Sequence, residues 1–407
     1  MTDYDSALFE VVVADGARRL TTARPMDMGG EIAKWSIDSA FLTSTDGFEF
    51  EFIGEKPEDR RGLEMAPVEL FVDGNSMLHG RIDITRRGDK GPSVVTCMGR
   101  DYIGDLVEGN CDPSVTAAAG ATLEDTILSV CAPYGIVSVE GPEARQVART
   151  KKPQKPVKRP RKRQVKDAKP EPGQGVYDWC NRILARHGQT MQPASTPGRL
   201  VLQAPNYDQD PIGRIIRSDS DDPGKTGCVL SGVATRDFSR VPTWALFAGR
   251  QGQPTEGSAR TKANWDISEV VSGYSDELAN ILGEWAIGGR RTKADKGIIT
   301  PRMLYRLLYF RDELAKTQDQ INDSALRAVA ERLKDTLVYE VTLRGIVNPE
   351  TGYYWAYDTI VDVDDDVADV HEKLWVAARR FAFDGKELRT TLTCWRPGSF
   401  VIGDPNA

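Results

Sequence analysis

Three aspartates at alternate positions, Asp362, Asp364 and Asp366, have the opening spacing of a calcium-binding loop, where oxygen ligands surround a hard cation. The pattern then departs from such a loop. Its sixth position is Val367 where the turn needs glycine, and its twelfth is Lys373 where a bidentate glutamate belongs. A solvated strand end followed by a turn is the better reading. Glu49 and Glu51 share one face of an alternating strand and could pass for paired carboxylates, but no histidine accompanies them. A solvent or lumen face is expected there. The three histidines (His79, His187, His371) are isolated, with His187 expected at a helix C-terminus, where an imidazole suits the dipole. Cys97, Cys111, Cys131, Cys180, Cys228 and Cys394 contain no C-x-x-C pair. Buried free thiols in a reducing compartment follow. Neither a GxxxxGK[ST] phosphate loop nor a GxSxG elbow occurs. No metal or cofactor is expected, and the chain reads as a non-enzyme.

The segment 149–172, RTKKPQKPVKRPRKRQVKDAKPEP, has eleven Lys or Arg, two acidic residues and five prolines among twenty-four positions. It has almost nothing apolar to offset the entropy of ordering, and like charges with prolines extend a chain. The chain's net charge is −7; this segment contributes +9, so the remainder stands at −16. The bland reading of such a charge run is a solvated loop. Lys151, Lys152, Lys155, Lys158, Arg159, Arg161, Lys162 and Arg163 are also candidates for docking on an acidic protein surface. A third reading is phosphate neutralisation on nucleic acid, which would be non-specific and salt-dependent. The absence of interleaved aromatics argues against base stacking.

With 407 residues, two to four domains are expected. A hydrophobic content of 40% and charged content of 28% are those of a soluble globular protein, and no apolar run is long enough for a membrane helix. The start, MTDYDSALFEVVV, lacks the basic and apolar regions of a signal peptide, so cytoplasmic synthesis is expected.

The elements follow from periodicity. Phe9, Val11 and Val13 open a strand, and Trp35 and Ile37 mark another. Phe48-Glu49-Phe50-Glu51-Phe52 alternates strictly, and Asp73-Gly74 signals a hairpin between 67–72 and the strand that follows. Short strands separated by turns predict a small barrel or sandwich. A helix is expected from Thr122, with Asp125 as a weak capping box and Gly135 past its end. Val176, Trp179, Cys180, Ile183 and Leu184 define a second helix, with Gly188 beyond it and a strand at 199–203. These two helices should pack together, leaving 149–172 as a surface insertion. Two further strands fall within 227–247, and helical patterns cover 276–288 and 301–335. The last block begins with Leu337, Tyr339, Val341 and Leu343 on one face and continues through strands at 358–363, 374–383 and 388–395.

The order of these parts resembles the baseplate hub proteins of Mu-like contractile-tailed phages, the tail protein P family related to hubs of other contractile injection systems. The matching elements are Phe48 to Phe52, Gly99-Arg100-Asp101 followed by Gly104-Asp105-Leu106-Val107, and Leu184-Ala185-Arg186-His187-Gly188 with Gly198-Arg199-Leu200-Val201-Leu202. Arg236-Asp237-Phe238-Ser239, Val341-Thr342-Leu343-Arg344-Gly345, Gly352 with Trp355, and Arg396-Pro397-Gly398-Ser399-Phe400 complete the set. Gly249-Arg250-Gln251 departs from the family's Gly-Gln.

The resemblance implies a β-rich α+β fold: two small antiparallel, tube-like β-barrel domains with an inserted α/β subdomain and a helical connector. The domains expected are 1–113 (N-terminal barrel), 114–212 (α/β, carrying 149–172), 213–335 (connector, partly completing the N-terminal barrel) and 336–407 (C-terminal barrel). It further implies a structural homotrimer in the virion tail baseplate, assembled in the bacterial host cytoplasm. That trimer would contact tail tube protein above and central spike protein below, with DNA passing through its channel. The alternative of a different class is a nucleic-acid-binding accessory protein acting through 149–172.

Overall fold

The computed structural model describes residues 8–13, 18–21, 32–53, 63–88, 94–115, 121–141, 169–185, 189–194, 196–218, 228–237, 239–240, 244–249, 263–266, 307–312, 330–332 and 334–399. The chain opens with β1 (Phe9–Val13), β2 (Arg18–Thr21), β3 (Ile32–Ala40), β4 (Gly47–Ile53), β5 (Pro67–Val72), β6 (Asn75–Arg87) and β7 (Val94–Asp101). Next come α1 (Gly104–Glu108), α2 (Leu123–Cys131), β8 (Ser138–Glu140), α3 (Val176–Leu184), β9 (Thr190–Pro193) and β10 (Arg199–Gln203). Then follow β11 (Arg214–Arg217), β12 (Val229–Thr235), β13 (Trp244–Gly249), β14 (Ala263–Asp266) and β15 (Leu307–Asp312). The chain closes with β16 (Val338–Arg344), β17 (Thr359–Asp365), β18 (Val370–Phe383) and β19 (Leu388–Trp395).

Local chemistry accounts for these elements. In β4 the alternation places Phe48, Phe50 and Phe52 in the core, while Glu49 and Glu51 keep partial contact with water. Thr122 accepts the Asp125 N–H at 3.1 Å, capping α2. Asp73 and Gly74 both take positive φ, the geometry of the tight turn joining β5 to β6.

One 13-stranded sheet runs in the order β12-β16-β19-β18-β3-β4-β7-β6-β5-β1-β2, with β17 beside β18 and β11 beside β17. It divides at β18 and β3 into two halves built on one plan. From the division outward, the first half runs β3-β4-β7-β6-β5-β1. The second contains the matching path β12-β16-β19-β18-β17-β11. The irregularities match as well. Bulges fall between Ile32 and Lys34 of β3 and between Val229 and Ser231 of β12. A second pair falls between Ile82 and Ile84 of β6 and between Val376 and Ala378 of β18. Met65 and Asp358 both have positive φ, and their N–H groups donate to Ile82 O and Val376 O respectively. The halves differ at the far strand, since β1 meets β5 antiparallel and β11 meets β17 parallel.

Among the described residues neither half closes through a strand ladder, and the two expected barrels are there two halves of one open sheet. β11 and β12, within the stretch expected to help complete the N-terminal half, pair instead with β17 and β16. A common apolar core runs through both halves, from Phe9 to Cys394. A second core holds α2 and α3 together over β9 and β10, with Ile127, Trp179, Cys180 and Leu200 at its centre.

The helical expectation for 301–335 is overturned at Leu307–Asp312, which forms β15 parallel to β13. Tyr309 and Phe310 favour strands, and a six-residue register with a neighbouring strand outweighs the helix formers around them. A short helical turn is seen at 330–332, and 276–288 lies outside the described residues.

Candidate functional site

The Gly99-Arg100-Asp101 signature is a structural knot. A Cβ at position 99 would lie 2.0 Å from Arg81 O and 2.5 Å from the Phe48 ring, so glycine lets β6 and β7 approach at their bulge. Arg100 reaches Asp83 on β6 at 2.7 Å and Glu108 on α1 at 2.5 Å, tying the sheet to the start of the α/β unit. Asp101 accepts the Asp46 N–H and the Ile103 N–H, each at 3.0 Å. Its burial, followed by the nearness of Asp46, pushes its carboxyl well above the usual range. These partners anchor the loops at Asp46 and Ile103.

The aspartates of 362–366 divide between two environments. Asp362 and Asp364 face outward from β17 beside Arg214, at 3.5 and 3.7 Å. Asp365 is fully buried and caps the turn by accepting the Val367 and Ala368 N–H groups, both at 2.9 Å. Across the hairpin, His371 Nδ1 meets Asp364 Oδ1 at 2.8 Å. Ligand atoms of Asp364, Asp366 and His371 lie within 4.8 Å of one another, the one such grouping among the described residues. Glu51 pairs with Lys34 at 3.4 Å on the outer face of β4. All six cysteines are free thiols, and Cys131 and Cys180 meet at 3.7 Å between α2 and α3.

Lys151, Lys152, Lys155, Lys158, Arg159, Arg161, Lys162 and Arg163 lie outside the described residues, as does His187.

The two halves of the sheet meet at the joint between β18 and β3. β18 has 14 residues where its hairpin partner β17 has seven. It uses Val370–Val376 against β17 and then, past its bulge, Ala378–Phe383 against β3. Arg380 stands opposite Asp38 and pairs with it at 3.3 Å. Burial raises the Asp38 carboxyl above its ordinary range, and Arg380 opposes that rise. Arg379 packs its guanidinium on the Phe381 ring at 4.4 Å, and donates to Trp355 O at 3.3 Å. Phe41 N–H extends the pairing to Ala377 O at 2.9 Å, and Gln192 of the α/β unit donates to Phe41 O at 2.8 Å. The joint thus ties the two halves of the sheet to each other and to the α/β unit. Sequence reasoning found the strand but missed this role. The available signal was that the strand read at 374–383 outruns its hairpin partner read at 358–363, and the overhang needs a second neighbour.

No family model matches the chain, and no curated protein matches it. Solved structures do. A tail protein from Neisseria meningitidis MC58 aligns at TM-score 0.70 and 18% identity, covering 97% of this chain and 98% of its own. The 43 kDa tail protein of prophage MuSo2 from Shewanella oneidensis aligns at TM-score 0.66 and 16% identity, covering 97% and 99%. The prophage tail protein gp18 from Listeria monocytogenes EGD-e aligns at TM-score 0.55 and 11% identity, covering 95% and 94%. Over nearly its whole length, the chain is similar in fold to phage tail proteins.

Proposed function

We propose that the chain is a structural protein of a contractile tail baseplate, a hub of the kind the sequence resembles. Three copies form a ring that adapts a sixfold tail tube to a threefold central spike and leaves a channel for DNA. The observation that carries this reading is the repeated plan of the sheet. Each chain holds two equivalent six-strand halves, so three chains would present six to a sixfold partner while keeping threefold symmetry for the other. Each half would act as a tube-like module without closing as a separate barrel. On this reading the protein performs no bond chemistry. The segment 149–172 serves contacts with acidic neighbours in the tail. The net charge of −16 on the rest of the chain suits a conduit that must not hold DNA.

Light scattering on the purified protein at two salt concentrations tests the ring. A mass near three times 45.0 kDa at both salts is expected. A monomer at both, at every accessible concentration, overturns it. Deleting 149–168 separates this reading from nucleic-acid binding. The trimer should persist without the segment, and loss of a salt-dependent affinity for nucleic acid on deletion would favour the alternative.

A further inference from the structure

The joint inside the chain has a counterpart in each half that is left half-made. β18 changes partner at its bulge: Val370–Val376 lies against β17, and Ala378–Phe383 against β3. β6 is the matching strand of the first half. It pairs with β5 through Asn75–Arg81, and Ile82 N–H extends the contact to Ala66 O at 3.0 Å. Past its own bulge it continues from Ile84 to Arg87 with β7 as its one described strand neighbour. On the other side, β12 is the counterpart of β3, and its one described strand neighbour is β16.

Burial shows the same incompleteness. On β3, Trp35, Ser36, Ile37 and Ser39 are buried under the joint. The matching residues Gly232, Val233 and Ala234 of β12 and Arg236 just past its end are half-buried or exposed, with Val233 61% exposed. Ile84, the first residue of β6 past the bulge, is 48% exposed. A sheet edge with apolar residues left in water can template a further strand.

We infer that the segment from Ile84 to Arg87 of one copy adds antiparallel to the segment from Ala234 to Asp237 of the next, repeating between copies the β18–β3 joint within each. This inference rests on the ring reading and assigns the strands that close it. Carrying the register of the internal joint through the matched bulges sets Arg86 opposite Thr235, as Arg380 is opposite Asp38. It sets Arg87 opposite Ala234 and Thr85 opposite Arg236. The contact is head-to-tail, because two different edges meet, so it must close into a ring or grow without end. A closed ring of three copies then contains six equivalent joints, three within chains and three between them.

The test is a double variant, Arg86→Cys with Thr235→Cys, in a Cys228→Ser background that leaves the buried native thiols in place. Directly opposed residues of an antiparallel pair lie within disulfide reach. The mass of the reduced protein is measured first, and oxidised glutathione is then added as the electron acceptor. Non-reducing electrophoresis should show a covalent three-chain species that dithiothreitol removes. The companion variant Thr85→Cys with Thr235→Cys should give none, because residue 85 points to the other face. A three-chain mass in solution without the covalent species would overturn the joint and leave the ring standing. A monomeric mass would remove both. Covalent ladders beyond three chains would support the joint and overturn closure at three.

Discussion

Phe9 lies flat on Trp35, ring centroids 4.3 Å apart and planes within 8°, and so fastens β1 to β3 across the open side of the first half. Both rings are in the core, with Phe9 fully buried and Trp35 3% exposed. Phe9→Ala removes the stack and leaves a cavity, at a cost of about 3–5 kcal/mol. Urea unfolding should show the midpoint falling without a change of slope. A variant with unchanged stability would mean that the stack does not hold the curl.

The second half is fastened by a polar contact. Arg217 on β11 donates to Gly232 O on β12 at 3.0 Å and lies 3.7 Å from buried Asp365, which also accepts the Tyr339 hydroxyl at 2.7 Å. Arg217→Met strips the carbonyl of its donor and the carboxylate of its cation, a loss of about 1–3 kcal/mol. Hydrogen exchange should rise first in β11 and β12. Uniform exchange across both halves would count against this contact as the fastener.

His371 gives a pH signature. Its hydrogen bond to Asp364, followed by the nearby Asp366 and Asp369 charges, raises its pKa above the ordinary histidine value of about 6.5. A raised folded-state value means a stabilising contribution present at pH below the unfolded value and lost as pH rises through the folded one. Nuclear magnetic resonance titration should place this imidazole above 6.5, and Asp364→Asn should bring it down. An unmoved titration in that variant would exclude Asp364 as the principal cause.

Burial raises the thiols of Cys97 and Cys394, and the contact with Cys131, followed by burial, raises that of Cys180, so each resists becoming the reactive thiolate. A chromogenic disulfide reagent should modify half-buried Cys228 first and the five buried cysteines only at the rate of unfolding. Rapid native labelling of five or more thiols would contradict that packing.

Much of the local structure was legible in the sequence. The alternation of Phe48, Phe50 and Phe52, the Asp73-Gly74 turn, the cap at Thr122 and the apolar stripe from Val176 to Leu184 all depend on neighbours within a few positions, and all are found. What could not be read was the pairing between distant strands. Nothing near Arg379 or Phe381 names β3 as their partner, and parallel pairing at Leu307–Asp312 overrode a helical pattern. The repeat was hidden for a similar reason. Phe48, Phe50 and Phe52 of β4 correspond to Tyr339, Val341 and Leu343 of β16. These share burial and spacing but little identity, because the core asks only for apolar residues on the inner face.

The pairing of residues 35–40 with 378–383 also fixes when the protein can finish folding. Contacts this distant in sequence are slow to form, and domains ordinarily fold as they leave the ribosome. Here the first half emerges with β3 as a bare edge, and its neighbour β18 is synthesised only after the whole stretch 41–369. Until then, β3 of one nascent chain can capture the β18 of another, a route to exchanged strands. Slow translation of the stretch 41–369 would therefore favour mispaired products, and rapid translation through it would suppress them.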